Sequence, residues 1–583
     1  MSFIGRTSLG PSGSKTVRFQ IDFNLKAHLL EHANQDSNKY EELVRKIRDH
    51  GQEIRDEDLI QLLKEARGCI SMLNGNFRLF VQVVLILDWT HRSPEVVSEY
   101  QGFLLDLCAA HNYYTKHVID QLITSFKRDS SEWKDGVPTE ESVRRFQHIH
   151  DAIRQILTIV PMSKDILISQ VQSLFPYFKR SAHEHETFIY NVLQIIQYLP
   201  GERYGFLKMI ITQLITLDVH SPRSALEERE AGGSMEVDGI FEMDDVKHPV
   251  AHTLDVSLNI LYRYVRDDVT IAGNVNMDKL KPLFNDLVKV FEEVILPTHA
   301  TQHVQFLVFF ILGLKPPLCQ MFIRNLWKKV TDPNIPPIIR QAAVCYIASI
   351  IARAKYISIL TTQAQLTEMA TWIHKYISSQ DEGSVNMPAV DTRIHGVFYA
   401  TCQALFYIIA FRYKELVHNT GLSMLQSLNL SKIVTCRLNP LKACAPVVVS
   451  NFAAIARSFQ LAYCYTGIER NQRNNLPIVN CDTSGSSLNV LASVHLDSFF
   501  PFDPYLLNRT KKYIEPHYRE YTGPKEENVA SSSKPANDDD DDFLEVTRLP
   551  NQQLHISPTQ LHQDSFTCIF SNQRRQNINY LFK

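Results

Sequence analysis

The sequence predicts an all-α protein, an α-solenoid of stacked helix pairs, and three observations carry the prediction. Glycine is scarce, at 21 of 583 residues, and the turn dipeptides that punctuate β-proteins are few. Apolar residues recur at helical spacing along most of the chain. The periodic segments are each about one helix long, and short breaks carrying Pro, Gly or Asp separate them.

The periodicity is plain at Phe77, Phe80, Val81, Val84 and Leu85. These occupy i, i+3, i+4, i+7 and i+8, one face of a helix, while Arg78 and Gln82 fall elsewhere on the wheel. Similar stretches recur through residues 99–127, 143–217, 250–377 and 395–465. Pro94, Pro161, Pro200, Pro297, Pro336 and Pro337 sit at breaks, where proline stops a helix or begins one without removing an internal hydrogen bond. Many short-looped helix pairs in series stack into a solenoid.

The run from Asp332 to Ile347, DPNIPPIIRQAAVCYI, is more specific. An Asp, then an aliphatic–Arg pair, then Ala and a later aliphatic is the pattern of the second helix of a HEAT repeat. Small Ala residues let helices approach closely, and Arg340 is expected in an Asp–Arg ladder between repeats. The spacing elsewhere is irregular, so the array is one of divergent HEAT-like helix pairs.

Composition narrows the function. Charged residues make up 21% and hydrophobic residues 44%, with a net charge of −3. Binding DNA mainly through phosphates requires a basic excess, which this chain lacks. The ten Cys form no C-x-x-C pair and sit mostly among apolar neighbours, as at Cys345. They read as core residues of an intracellular protein. The N-terminus has no apolar run of signal-peptide length. The richest apolar stretch, Phe306–Leu314, is far below the roughly 18 residues of a membrane span.

Three segments are expected to be disordered: residues 1–20, an acidic loop at about 219–247 inside the array, and an acidic tail at 521–583 containing Asp538–Asp542. The array itself is assigned to 21–520.

Catalytic chemistry finds little support. Gly10–Thr16 resembles a phosphate loop, but Ser14 precedes Lys15 where the motif needs Gly. His183 and His185 are two apart, as are His148 and His150. A helical metal site needs them four apart, and solvated surface is the simpler reading. His299 and His303 are four apart but lack a nearby carboxylate in sequence, which favours helix capping or interhelix bonding. No enzyme, cofactor or metal is predicted. Arg324, Trp327, Lys328 and Lys329 form a basic-aromatic helix end, with Arg353 and Lys355 nearby in sequence. Together they are the candidate surface for an acidic partner or nucleic acid, although cations in a last helical turn also serve the helix dipole. Ser221 and Ser557, each before Pro in a segment expected to be disordered, are the candidate phosphorylation sites.

Several motifs in order resemble one family. They are Leu296–Ala300, His303–Phe306, Leu326–Lys329, Asp332–Pro333, Ile338–Ala343, Ala352–Ile357, Leu438–Lys442 and Phe499–Pro504. Lys15–Phe19 upstream and the Asp538–Asp542 run followed by Phe543–Leu544 are similar too. The likeness spans about 15–545 and points to TIF-IA, the RNA polymerase I-specific transcription initiation factors. It implies a non-enzymatic HEAT-like array, acting in the nucleus and nucleolus. Such a factor binds RNA polymerase I near its stalk and bridges it to the promoter-bound core or selectivity factor. It implies regulation by phosphorylation, leaves room for a secondary DNA contact and a homodimer, and involves no membrane. The family's acidic insertion is reduced here to Lys127–Glu141. A general helical scaffold or transport adaptor is the alternative.

Overall fold

The computed structural model describes residues 24–34, 38–127, 129, 131, 133–221, 248–299, 301–381, 391–418, 421–473, 496 and 500–521. Of the segments expected to be disordered, 1–20 lies outside the described residues, as do residues 222–247 of the loop at about 219–247 and 522–583 of the tail at 521–583; Val219 instead ends α10.

In chain order the helices are α1 (Leu25–Ala33), α2 (Asn38–His50), α3 (Asp56–Gly68), α4 (Arg78–Leu85), α5 (Pro94–Ala110) and α6 (Thr115–Thr124). There follow α7 (Glu140–Ile159), α8 (Ser163–Ser173), α9 (Ala182–Tyr198), α10 (Arg203–Val219), α11 (Pro249–Val269) and α12 (Met277–Val290). Next come α13 (Phe306–Gly313), α14 (Pro316–Thr331), α15 (Pro337–Arg353), α16 (Ile359–Asp381) and α17 (Thr392–Leu416). The last are α18 (Gly421–Ser427), α19 (Leu430–Thr435), α20 (Pro440–Ala443), α21 (Pro446–Ser458), α22 (Tyr465–Arg473) and α23 (Asn508–Ile514). Among the described residues the only sheet is a two-residue hairpin with Thr270 opposite Val275.

Stacking follows the solenoid rule, in which each helix touches its hairpin partner and its counterpart in the next pair. α1, α3, α5, α7 and α9 pack in succession along one layer, while α2 meets α4 and α6 meets α8 on the other. The fold is therefore an all-α, solenoid-like array. The predicted face on α4 is real: Phe77, Phe80, Val81, Val84 and Leu85 are all buried. Local caps follow the sequence. Ser93 precedes Pro94 at the start of α5, and Thr139 and Ser181 cap α7 and α9 through their hydroxyls.

α17 overturns one reading of the sequence. It is long and apolar enough to cross a membrane, and 94% of its most apolar window is buried within the protein. Thr401, Gln403 and Arg412 interrupt its apolar run, which hid its length. It packs against α15, α16 and α21 and is the central core helix of the C-terminal half.

One histidine of each pair is also not surface. His150 is buried, with Nε2 3.0 Å from Asn191 Oδ1 and Nδ1 3.1 Å from Tyr198 OH. His185 is buried too, its Nδ1 3.0 Å from the Ser181 carbonyl. Histidines two apart diverge on a helix, and one of each pair points inward. Burial pushes the His150 imidazole down to about 4. Its unfolded value is higher, near 6.5, so the unfolded chain binds the extra proton as pH falls, and stability is lost from about 6.5 toward 4. Replacing His150 with Gln is expected to remove about 2 kcal/mol of the stability change between pH 7 and 5, measured as a smaller shift of the urea midpoint.

Candidate functional site

The residues of the predicted basic surface are not brought together. α14 and α15 form a hairpin with a five-residue link, so they run antiparallel. Arg324, Trp327, Lys328 and Lys329 lie toward one end, and Arg353 and Lys355 lie at the other. The rise along α15 separates the two ends by about 24 Å. At that far end, Tyr356 donates from its hydroxyl to the Phe309 carbonyl at 2.9 Å.

At the near end Arg324 and Lys328 are exposed and Trp327 is half-buried. Lys329 is neutralised by Glu292 at 3.1 Å. Glu292, Asn325, Lys328, Lys329, Asp332 and Ile335 line a shallow groove of mixed charge. It is open, and enclosing a small molecule would take a deeper pocket. Among the described residues no cluster of His, Cys, Asp and Glu could hold a metal ion.

Arg353 requires correction. It is 0% exposed and ion-paired to Asp503, itself 0% exposed, so it belongs to no surface. Lys355 is exposed, but its backbone N–H donates to the His517 carbonyl at 2.8 Å. Both residues face a segment that opens within the Phe499–Pro504 motif and runs on to Tyr521. Residues 500–521 cross back over the array as a strap. Phe500 stacks on Tyr407 with ring centroids 4.0 Å apart. Phe502 lies edge-on to Phe306 and Tyr346, 5.2 and 5.7 Å away.

The strap is fixed by polar contacts with each helix it crosses. Tyr407 on α17 donates to Asp503 Oδ2 at 3.1 Å, while Arg353 on α15 pairs with Oδ1. The Arg353 guanidinium lies over the Phe411 and Tyr518 rings, 4.8 and 5.1 Å from their centroids. Its Nη1 donates to the Arg519 carbonyl at 3.2 Å. Ser349 Oγ accepts from the Phe502 N–H at 2.9 Å. Gln305 Nε2 donates to the Pro501 carbonyl at 2.6 Å. On α11, Asp255 accepts from the Arg509 and Thr510 N–H groups at 2.8 and 3.0 Å, which caps the start of α23.

Three other motifs that resemble the family contribute to similar junctions. His303 is fully buried with its Nδ1 3.0 Å from Asp218 Oδ1. Asp218 Oδ2 accepts from the N–H groups of Gln302, His303 and Val304 at 2.8–3.1 Å. The interhelix bonding expected of His303 is thus present; its carboxylate comes from 85 residues upstream. Arg340 joins no acidic ladder: its Nε donates to the Val330 carbonyl at 2.8 Å, closing the end of α14. Tyr399 donates to the Leu438 carbonyl at 2.8 Å, and the amides of Asn439 and Asn471 bond reciprocally at 2.7 and 3.2 Å.

Ser221 is 2% exposed, just past the end of α10, and its hydroxyl is covered. The helix continues as far as Val219, so the Ser-Pro pair begins inside the fold and not in open chain. Ser557 lies outside the described residues, as do the phosphate-loop-like residues 10–16 and Cys481 and Cys568. Cys69, Cys108, Cys319, Cys402, Cys444 and Cys464 are buried and unbridged, as core residues should be.

A helical solenoid several of whose motifs serve interhelix junctions and a strap defines a class: an all-α, solenoid-like array. The family "RNA polymerase I specific transcription initiation factor RRN3" matches residues 20–250 and 227–526. The chain belongs to that family. It is 35% identical over 574 residues to a Mus musculus protein named RNA polymerase I-specific transcription initiation factor RRN3, covering 91% of this chain and 86% of the relative. A Schizosaccharomyces pombe protein named RNA polymerase I-specific transcription initiation factor rrn3 is 28% identical, covering 79% and 80%. The crystal structure of RNA polymerase I transcription initiation factor Rrn3 has the same fold. Its TM-score is 0.67 at 22% identity, covering 85% of this chain and 97% of that one.

The buried pair gives a sharp test. Asp503→Ala leaves the Arg353 charge buried and is expected to cost about 3–5 kcal/mol. Arg353→Met alone should cost a similar amount by stranding the carboxylate. The double variant should be no worse than either, a coupling that urea denaturation of the four proteins measures.

Proposed function

We propose that this chain is an RNA polymerase I-specific initiation factor that works by surface complementarity and carries out no chemistry. The observation that carries this reading is the family match across both halves of the chain, residues 20–250 and 227–526. The helical array supplies what such a role needs: broad surfaces on a rigid frame, with one face for the polymerase, near its stalk, and another for the promoter-bound core or selectivity factor. Joining two partners raises the effective concentration of the second contact. The site of action is then the nucleus, in the nucleolus where ribosomal RNA genes are read.

Within this reading the exposed Arg324 and Lys328, with Trp327 beside them, form the contact for an acidic partner surface, and any DNA contact is secondary. Lys355 stands apart from that group. Phosphate adds about −1.5 to −2 of charge and would weaken such a contact by repulsion if placed at its edge. Ser557 remains a candidate, whereas Ser221 would first have to leave its buried position.

The test is reconstitution. The purified chain should co-migrate with RNA polymerase I on a sizing column and support promoter-dependent synthesis from a ribosomal RNA gene. The R324E/K328E variant should keep its thermal midpoint and bind one of the two partners about tenfold more weakly. No co-migration in any phosphorylation state would refute the reading.

A further inference from the structure

The last helices before the strap, α18–α22, make one end of the array basic. Residues 421–473 carry six Lys and Arg and one acid, Glu469, which Arg473 holds at 3.8 Å. Lys432, Arg457 and Arg470 are exposed and Lys442 is half-buried. Among the described residues none of these four meets a carboxylate. α16 and α17 pack against this end. With both of them and every link included, residues 359–499 hold ten Lys and Arg to eight Asp and Glu. The whole chain has a net charge of −3, so a positive surplus is gathered here.

Backbone geometry sets aromatic rings among these cations. At the end of α21 the Leu461 N–H donates to the Ala456 carbonyl at 2.8 Å and the Gln460 N–H to the Arg457 carbonyl at 3.3 Å, the Schellman pattern. That closure needs a left-handed residue, and Gln460 supplies it with φ of 52°. The link then passes α19, whose Ser431 hydroxyl donates to the Leu461 carbonyl at 3.4 Å, which brings Lys432 alongside. Beyond it Tyr463 is 68% exposed. Its ring lies 6.4 Å from that of Tyr465, and the Arg457 guanidinium lies 5.5 Å from the Tyr465 centroid. Toward the strap, Phe459 lies 6.4 Å from Tyr413. There Glu415 is engaged by Arg412 and Arg519 and Glu520 is exposed, so the positive part of the row is the part around Arg457, Tyr463 and Tyr465.

An exposed tyrosine beside an arginine that has no ion-pair partner offers one ligand two things: a face on which a planar base stacks, and a charge for the phosphate next to it. A duplex hides its base faces, so exposed rings serve unpaired bases. An acidic peptide would use the cations alone. The choice of RNA rests on the function proposed above, since the enzyme served makes a single strand of RNA. We propose that Arg457, Tyr463 and Tyr465, with Lys432 beside them, form a binding site for single-stranded RNA, the polymerase's own product.

Fluorescence anisotropy with the full chain and a labelled oligouridine of about 12 nucleotides tests the site. The natural chain should bind it, more weakly as salt rises. Y463A should bind about tenfold more weakly, and K432E/R457E about tenfold more weakly with a flatter salt dependence, both with unchanged thermal midpoints. In a promoter-dependent reaction, a transcript carrying 4-thiouridine should crosslink to residues 457–465 on irradiation. The proposal is overturned if both variants bind the oligouridine as the natural chain does, or if an RNA duplex of the same length binds as tightly. It is equally overturned if DNA strands carrying 4-thiothymidine crosslink to residues 457–465 and the transcript does not. The oligouridine measurement needs no polymerase: a chain that binds the oligomer through Tyr463 but does not co-migrate with RNA polymerase I would refute the initiation reading and leave the RNA site standing.

Discussion

A guanidinium with no water around it must find its partners in the fold, and Arg353 finds them on a segment 150 residues away. That constraint organises the C-terminal half. A buried ion pair adds little net stability over apolar side chains of the same volume, yet breaking one side of it is costly. It therefore acts as a latch on register. Only one placement of residues 500–521 puts Asp503 between Arg353 and Tyr407, and in that placement Phe502 lies against Phe306 and Tyr346 while Thr510 meets Asp255. α11, α13, α15 and α17, which a plain solenoid would join only neighbour to neighbour, are thereby tied by a single strap.

Much of the helical architecture was legible because it is local. Side chains three and four apart share a helix face whatever the rest of the chain does, so the stripe through Phe77–Leu85 was readable. The Asp332–Ile347 hairpin helix was also readable, and the junction role of His303 was half readable: its interhelix bond followed from its setting, but its partner Asp218 did not. What stayed hidden is long-range. Phe499–Pro504 is conspicuous as a motif, yet no periodicity says which helices it will cross. Arg353 and Lys355 look like neighbours of Lys328 because only residue number is visible; the antiparallel turn at 332–336 sends them to opposite ends. The burial of His150 and His185 depends on which face of α7 and α9 turns inward, set by the neighbouring helices as much as by their own residues.

The functional surface was legible in part for the same reason. Arg324 and Lys328 are exposed because a helix with one apolar face must show another to water. Several residues that carry the family resemblance instead serve junctions: His303 with Asp218, Arg340 with Val330, Leu438 with Tyr399, and the strap. A helical array can present partners with a constant surface only if its repeats keep a fixed relation, and these junctions supply that. The residues that touch partners can then vary on the outside of a frame held from within.

The central claim is that the strap is held by the Arg353–Asp503 pair and in turn holds the helices beneath it. Hydrogen exchange of the full-length protein, comparing the natural chain with Asp503→Asn, tests it most directly. Faster exchange confined to residues 500–521 and the facing parts of α11, α15 and α17, with α1–α8 unchanged, is the predicted result. Unaltered protection across residues 500–521 in the variant would contradict it.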